Sequence, residues 1–576
     1  MALSRRSLLL ASAGLIGSAT TSSIWPLAVV AAPARGPLRP DPFTLGVASG
    51  DPAADGFVIW TRLAPAPLAE DGLGGMPSRD VPVEWEVATD EGFRQVTRRG
   101  VQVARPDFGH TVHVELTHVE PGREYFYRFR AERHLSPPGR TRTAPAATAF
   151  PAALAMSFAS CSQYEHGFFT AYRRLAEDEP ELILHLGDYL YEYEPRSYLL
   201  AGGNPRDHEG PETRTLADHR RRHAQYKTDP DLQAAHAVAP WAVVFDDHEV
   251  SNNWAGDNPE KPDPDFPARR AAAFQAYYEN MPLRRSSIPA GPGIQIYRRL
   301  HWGRLATFHL LDTRQFRHDQ ACGDGYRDCP AAADATRSIT GAEQERWLLD
   351  GFRASTAHWD VLAQQVFFAQ RDSDAGPATV TSMDAWDGYR ASRERIIRGW
   401  MDAGVRNPVV LTGDVHSHWA ADLSPWTAGP AGPTGPAGPT DPADPARPAD
   451  PASPVVGTEL VCSSITSNGD GADVLGDHPW AAWNPHLRFH NNQRGYVRTR
   501  IAQDTMTADF RVLPYVTAPG APAHTRASFA IEDRAPGLHK LADEPTPSLT
   551  TAPRRQATTH PPDRGHETIR QETDRP

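Results

Sequence analysis

Apolar residues come in short runs along this chain, and after residue 150 several runs stop at a residue able to bind a cation. Leu182-Ile183-Leu184-His185-Leu186, bounded by Pro180 and Gly187, predicts a short buried strand with Asp188 just past its end. The plan repeats at residues 241–245, followed by Asp246-Asp247-His248-Glu249, and at residues 408–412, followed by Gly413-Asp414-Val415-His416. A fourth run, residues 155–159, ends at Ser160-Cys161. Active sites of open α/β sheets lie beyond the carboxyl ends of the strands. If these strands are neighbours, Cys161, Asp188, Asp247, Asp414 and His416 meet at one sheet edge, with Tyr191 three residues past Asp188. That combination predicts a metal site.

The first 150 residues follow a different rhythm. Val81, Val83, Trp85 and Val87 share one face of a strand; Val112, Val114 and Leu116 share another, and Tyr125, Tyr127 and Phe129 a third. With the run at residues 57–60 and the Pro121-Gly122 turn, this predicts an all-β sandwich over residues 40–147. Its Pro-Gly-x-x-Tyr-x-Tyr pattern resembles fibronectin type III or immunoglobulin-like modules. Residues 144–152, rich in Pro, Ala and Thr, read as a linker. From Leu154 strand-like runs alternate with amphipathic stretches at 168–175, 216–226, 268–278 and 342–352, which predicts an α/β domain over residues 152–515. Further strands are expected at 305–311, running into Asp312-Thr313-Arg314, and at 361–368, 455–463, 497–501 and 507–512. Residues 425–455 carry Gly-Pro-x triplets too few for a triple helix, so they read as a solvated Pro-rich insertion. The polar, Pro-rich residues 540–576 predict a disordered tail.

The N-terminus adds a destination. Ser4-Arg5-Arg6-Ser7-Leu8-Leu9 precedes a moderately apolar stretch ending in Val30-Ala31-Ala32-Pro33-Ala34, which resembles a twin-arginine export signal over residues 1–34. An uncleaved anchor is the alternative, but Gly, Ser and Thr interrupt the run below the ~20 apolar residues of a spanning helix. The chain has only four cysteines. In an oxidising compartment Cys322 and Cys329, bracketing a turn-rich spacer, are the expected disulfide. Cys161 and Cys462 could pair with each other, or Cys161 could serve as a metal thiolate. The 576 residues and net charge of −12 allow more than one domain and argue against nucleic acid or anionic membrane as partner.

Carboxylates, a phenolate and a thiolate suit trivalent iron, and the two oxygens of Asp188 allow it to bridge a second ion. Each residue also has a plain structural reading. A strand-end Asp can cap a helix, Tyr191 can be core, His248 can be a buried hydrogen-bonded histidine or stand beside substrate, and Asn252 and Asn253 can be turn residues.

The motifs taken together resemble a family. Ser160-Cys161-Ser162-Gln163, Gly187-Asp188-Tyr189-Leu190-Tyr191-Glu192-Tyr193, Asp246-Asp247-His248-Glu249-Val250-Ser251-Asn252-Asn253, Leu311-Asp312-Thr313-Arg314-Gln315, Trp386-Asp387-Gly388-Tyr389, Gly413-Asp414-Val415-His416-Ser417 and the Asn491-Asn492-Gln493-Arg494-Gly495-Tyr496 run are similar to those of PhoD-type alkaline phosphatases over roughly residues 40–515. The resemblance implies a β-sandwich followed by a metallophosphatase domain similar to purple acid phosphatase, with Fe(III) and Ca²⁺, acting on phosphomonoesters and phosphodiesters. It implies Cys161, Asp188, Tyr191 and His416 as iron ligands, with Asp247, Asn252 and Asp414 serving calcium or the phosphate, and His248 and Arg314 near the chemistry. The implied reaction is in-line attack by a hydroxide bridging the two metals. Two departures stand out. Gly413-Asp414-Val415-His416 replaces the Gly-His-x-His of purple acid phosphatases, with Gln364 or Gln365 where another His is expected, and Ser162 separates Cys161 from Gln163.

The expectation is therefore a secreted alkaline phosphatase, a monomer with no nucleic-acid partner and no stable membrane span, passing through the twin-arginine translocase. A phospholipase D-like phosphodiesterase is the alternative within the same class. A non-catalytic secreted binding protein is the alternative outside it.

Overall fold

The apolar runs fold as strands, and two large sheets built from them face each other. The computed structural model describes residues 37–425 and 454–547. The first sheet has ten strands, in the order Ala535–Asp543, His524–Glu532, Thr505–Leu513, Arg494–Ala502, Ala153–Ala159, Leu182–Leu186, Pro240–Val244, Val47–Ala53, Gly56–Arg62 and Thr111–Leu116. The second has seven: Arg298–Trp302, Ala306–Leu310, Trp359–Ala363, Pro408–Thr412, Gly457–Val461, His418–Leu423 and Leu487–Asn491. At the centre of each sheet the strands are parallel. Central parallel strands are covered on both faces, which is why they read as unbroken apolar runs.

Met156, Phe158, Leu184 and Val244 of the first sheet share one core with Phe308, Val361, Val409 and Leu411 of the second. Helices cover the outer faces, as the alternation after Leu154 predicts. Thr170–Glu177, Pro230–Val238 and Phe266–Asn280 bring Tyr172, Leu232 and Phe274 to the first sheet's core. Gly341–Ala354 and Arg390–Asp402 pack Leu348, Phe352, Ile396 and Trp400 against Leu362, Val410 and Val461 of the second. The helix Leu216–Lys227 starts at a capping box in which the Thr215 and Asp218 side chains each accept from the other's backbone N–H. The described residues from Arg39 onward form one unit.

Two expectations change. The N-terminal strands are all β, but only Val81–Ala88, Val96–Ala104, Glu124–Ala131, His134–Leu135 and Gly139–Arg142 make a sheet of their own. Val47–Ala53, Gly56–Arg62 and Thr111–Leu116 extend the ten-stranded sheet, where Ser49 and Gly50 pair in parallel with Pro240 and Trp241. A Cβ on Gly50 would lie 2.4 Å from the Pro282 carbonyl oxygen, so glycine admits this approach. Alternation specifies a strand's buried face and leaves its partner open. At the other end, His524–Glu532 and Ala535–Asp543 follow the last expected strand, and the second of them continues past Lys540, where disorder is expected. The expected signal segment, residues 426–453 of the expected insertion and the residues beyond 547 lie outside the described residues. Among the described residues no helix is long and apolar enough to cross a membrane.

One buried acid ties the second sheet together. Glu459 Oε1 accepts from Phe368 N at 2.8 Å and Thr412 Oγ1 at 2.6 Å, and its Oε2 accepts from Ala369 N at 2.7 Å. Burial pushes its carboxyl up from 4.5 to about 7, and these three donors offset only part of the shift. The folded state therefore holds the proton more tightly than the unfolded one. Glu459 contributes its full stability below pH ~4.5 and loses it as the pH rises through ~7, a swing of about 3 kcal/mol. In Glu459→Gln the fall in melting temperature between pH 4.5 and 7.5 is expected to be shallower than in the parent; an unchanged slope would show that Glu459 does not titrate in that window.

Candidate metal centre

The strands from both sheets end at one edge, and the turns there are held in unusual conformations. Cys161 follows Ala153–Ala159 with φ 62°, Asp188 follows Leu182–Leu186 with φ 52°, and Asp414 and His416 follow Pro408–Thr412 with φ 65° and 54°. Left-handed backbone at a non-glycine residue costs on the order of 1–3 kcal/mol and persists where surroundings impose it. Here backbone bonds impose it. Cys161 N donates to Gly187 O at 3.1 Å and Ser162 N to Asp188 O at 2.8 Å. Glu249 gathers two strand ends, accepting from the backbone N–H groups of Asp188 at 3.2 Å, Tyr189 at 2.7 Å and Asp246 at 2.9 Å. Gly187, at φ 107°, has Asp246 Cβ only 2.4 Å from where its own Cβ would stand.

The result is two groups of donor atoms that share Asp188. Ligand atoms of Cys161, Asp188 and His416 lie within 4.8 Å of one another, as do those of Asp188, Asp247 and His248. Tyr191 belongs with the first group. Its hydroxyl donates to Asp188 Oδ2 at 3.0 Å, stands 3.0 Å from His416 Nε2, and accepts from Ser467 Oγ at 2.8 Å. The Asn468 amide, 3.1 Å from His416 Nδ1, orients that ring so that Nε2 faces Tyr191. In the second group Asn253 N donates to Asp247 Oδ2 at 2.7 Å. His248 Nδ1 is 2.8 Å from Glu192 Oε2, and Glu192 Oε1 accepts from Asn252 N at 2.8 Å. Asn252 Oδ1 accepts from the Tyr193 hydroxyl at 3.3 Å.

This arrangement is short of positive charge. Burial, then the neighbouring Asp247, pushes the Asp188 carboxyl well up; burial with Asp246 and Asp384 does the same to Asp414. Burial and Asp188 raise both the Cys161 thiol and the Tyr191 phenol, while burial and Arg494 lower His416. Burial alone would depress His248, but the Asp247, Glu192 and Asp188 carboxylates outweigh it and raise it well above the ordinary histidine value. Asp247 is held low despite burial by His248 and Arg314. A cation shared by Asp188 would remove the like-charge penalty on these acids, so the residues present fit a metal.

Several residues stand differently from expectation. Arg314 is fully buried, with Nε on Asp246 Oδ1 at 2.6 Å and its fork on both Asp384 oxygens at 2.8 Å. It stays 3.6 Å from Asp247 Oδ1, clamping carboxylates rather than presenting a free guanidinium. Gln364 and Gln365 are spent on Val366 O, Thr412 Oγ1, Leu311 O and Thr313 Oγ1. Gln163 Oε1 accepts from Glu165 N at 3.1 Å, starting a short turn. Cys322 and Cys329 form the expected disulfide, and Cys161 and Cys462 are free and buried, so the alternative pairing is absent. Sequence reading assigned no role to Glu192, Glu249, Asp384, Ser467 or Asn468. Asp384, two residues before Trp386-Asp387-Gly388-Tyr389, and Glu192 and Glu249, inside their motifs, were open to view; Ser467 and Asn468 lie in a polar stretch with no pattern.

The geometry agrees with what sequence comparison finds. The chain belongs to the PhoD-like phosphatase family, whose model matches residues 154–510, with the family's N-terminal domain matching residues 30–145. It is accordingly an enzyme, a phosphoric ester hydrolase. It is 48% identical over 505 residues to alkaline phosphatase D of Bacillus subtilis (strain 168), a span of 87% of this chain and 82% of that one. A solved structure of PhoD superposes with a TM-score of 0.82 at 47% identity, covering 88% of this chain and 94% of the other.

Proposed function

We propose that this protein is an exported, metal-dependent alkaline phosphatase that hydrolyses both phosphomonoesters and phosphodiesters. The observation that carries the reading is the pair of donor groups joined by Asp188. A thiolate, phenolate and imidazole at Cys161, Tyr191 and His416 suit Fe(III), and the oxygen-rich side at Asp188, Asp247, Asn252 and Asp414 suits Ca²⁺. Cations held there would lower the pKa of an attacking water and offset charge on the phosphoryl oxygens. The protein's own part is orientation. Glu249 fixes the turns that carry Asp188 and Asp247, Arg314 holds Asp246 and Asp384 apart from the donors, and Glu192 aims His248. His248, held by Glu192 at Nδ1 and stacked on Tyr191 at 4.0 Å, would stand beside a phosphoryl or leaving oxygen. Export by the twin-arginine route rests on Arg5-Arg6 and the stretch after them.

Purified protein assayed at alkaline pH is expected to cleave p-nitrophenyl phosphate and bis(p-nitrophenyl) phosphate, to lose both activities together on chelation, and to regain them with added metal. Turnover of phosphatidylcholine with neither aryl ester cleaved would instead favour the phospholipase reading. Chelator-insensitive activity would remove the cations from the account.

A further inference from the structure

The loop closed by Cys322 and Cys329 lies outside every motif that pointed to the site, yet it reaches the site. Its strand Tyr326–Asp328 pairs antiparallel with Val380–Ser382, just before Asp384, and Met383 N donates to Gly325 O at 3.0 Å. Ala321, Cys329, Ala332 and Met383 give the loop a small core of its own. Cys322, Gly323 and Gly325 all take left-handed backbone, with φ 60°, 77° and 83°, so the chain turns tightly on either side of Asp324.

Asp324 is half-buried and makes two short bonds. Its Oδ1 accepts from Gly325 N at 2.6 Å and its Oδ2 accepts from the Asn253 side-chain amide at 2.6 Å. Asn253, itself left-handed at φ 46°, donates its backbone N–H to Asp247 Oδ2 at 2.7 Å. Its carbonyl accepts from Gln320 Nε2 at 2.7 Å, and that amide also donates to Asp384 Oδ1 at 2.9 Å. Asn253 is thus gripped by the disulfide loop on one side and holds Asp247 on the other.

We propose that Asp324 is a positioning residue for the Asp247 side of the site: it fixes Asn253, Asn253 fixes the Asp247 carboxylate for a cation, and the Cys322–Cys329 disulfide keeps Asp324 in place. This rests on the reading of Asp188 and Asp247 as cation ligands. The partner that orients a ligand commonly controls metal affinity by about 10–100-fold.

The test is calorimetric titration of chelator-treated full-length protein with Ca²⁺ alone. Asp324→Ala should bind Ca²⁺ about 10–100-fold more weakly than the parent. Asp324→Asn, which keeps one carbonyl oxygen to accept from Asn253, should fall between them. The melting temperature of the calcium-free protein should not change, which separates positioning from general loosening. The Cys322→Ser/Cys329→Ser double variant should move affinity in the same direction and keeps the question answerable if Asp324→Ala does not fold. Asp188→Asn is run alongside. If Asp188→Asn loses Ca²⁺ binding while the Asp324 and cysteine variants match the parent, the positioning role is overturned and the site reading stands. If the parent binds no Ca²⁺, or Asp188→Asn binds it as the parent does, both are overturned.

Discussion

Asp188→Asn is expected to abolish hydrolysis and to strip cations from both halves of the site at once. The substitution keeps the side chain's shape and one acceptor oxygen, so the turn at φ 52° and the bonds from Glu249 to the neighbouring N–H groups remain available. What it removes is charge at the single residue common to both donor groups. If cations held there activate the attacking water as proposed, kcat/KM should fall on the order of 10³-fold or more. Metal analysis by mass spectrometry should show both ions depleted. Asp414→Asn should behave differently, impairing the oxygen-rich side and recovering in part with excess Ca²⁺. An Asp188→Asn protein that kept full metal content would show that the two groups do not depend on a shared ligand.

Arg314→Met should be the most destabilising single change near the site. Arg314 is fully buried against Asp246 and Asp384, and Arg317 donates to the same Asp384 carboxylate at 2.5 Å. Removing the central cation leaves buried carboxylates opposed, a loss of about 3–5 kcal/mol. Arg314→Lys should rescue little, because an ammonium cannot span Asp246 and both oxygens of Asp384 as the guanidinium fork does. Differential scanning calorimetry checks both variants. A melting temperature within error of the parent would mean that Arg314 is a substrate-facing residue after all and that its carboxylate partners are incidental.

Which parts of this were legible in the sequence follows from what each pattern encodes. Central parallel strands bury both faces, so the runs ending at Cys161, Asp188, Asp247 and Asp414 announced themselves, and with them the donors at their ends. Tyr191 and His416 came with those motifs. Strand partnership was hidden, because neither the run at 57–60 nor the alternation at Val112, Val114 and Leu116 says whether those strands close a separate sandwich or join the sheet that Val47–Ala53 extends beside Pro240–Val244. Two supports of the site were hidden too: Ser467 and Asn468 lie in a polar stretch with no pattern, and only the fold brings them to Tyr191 and His416. Arg314 was expected near the chemistry from its motif, and the structure sets its guanidinium against Asp246 and Asp384, a pairing that the motif did not announce.

The account turns on two cations meeting at Asp188, and anomalous diffraction from crystals of the purified enzyme, collected on either side of the iron edge, addresses that directly. The expected map has an iron peak contacting Cys161, Asp188, Tyr191 and His416, and a second peak with no iron edge contacting Asp188 and Asp247. A single peak, or iron bound away from Cys161 with Asp188 touching only one ion, would contradict it.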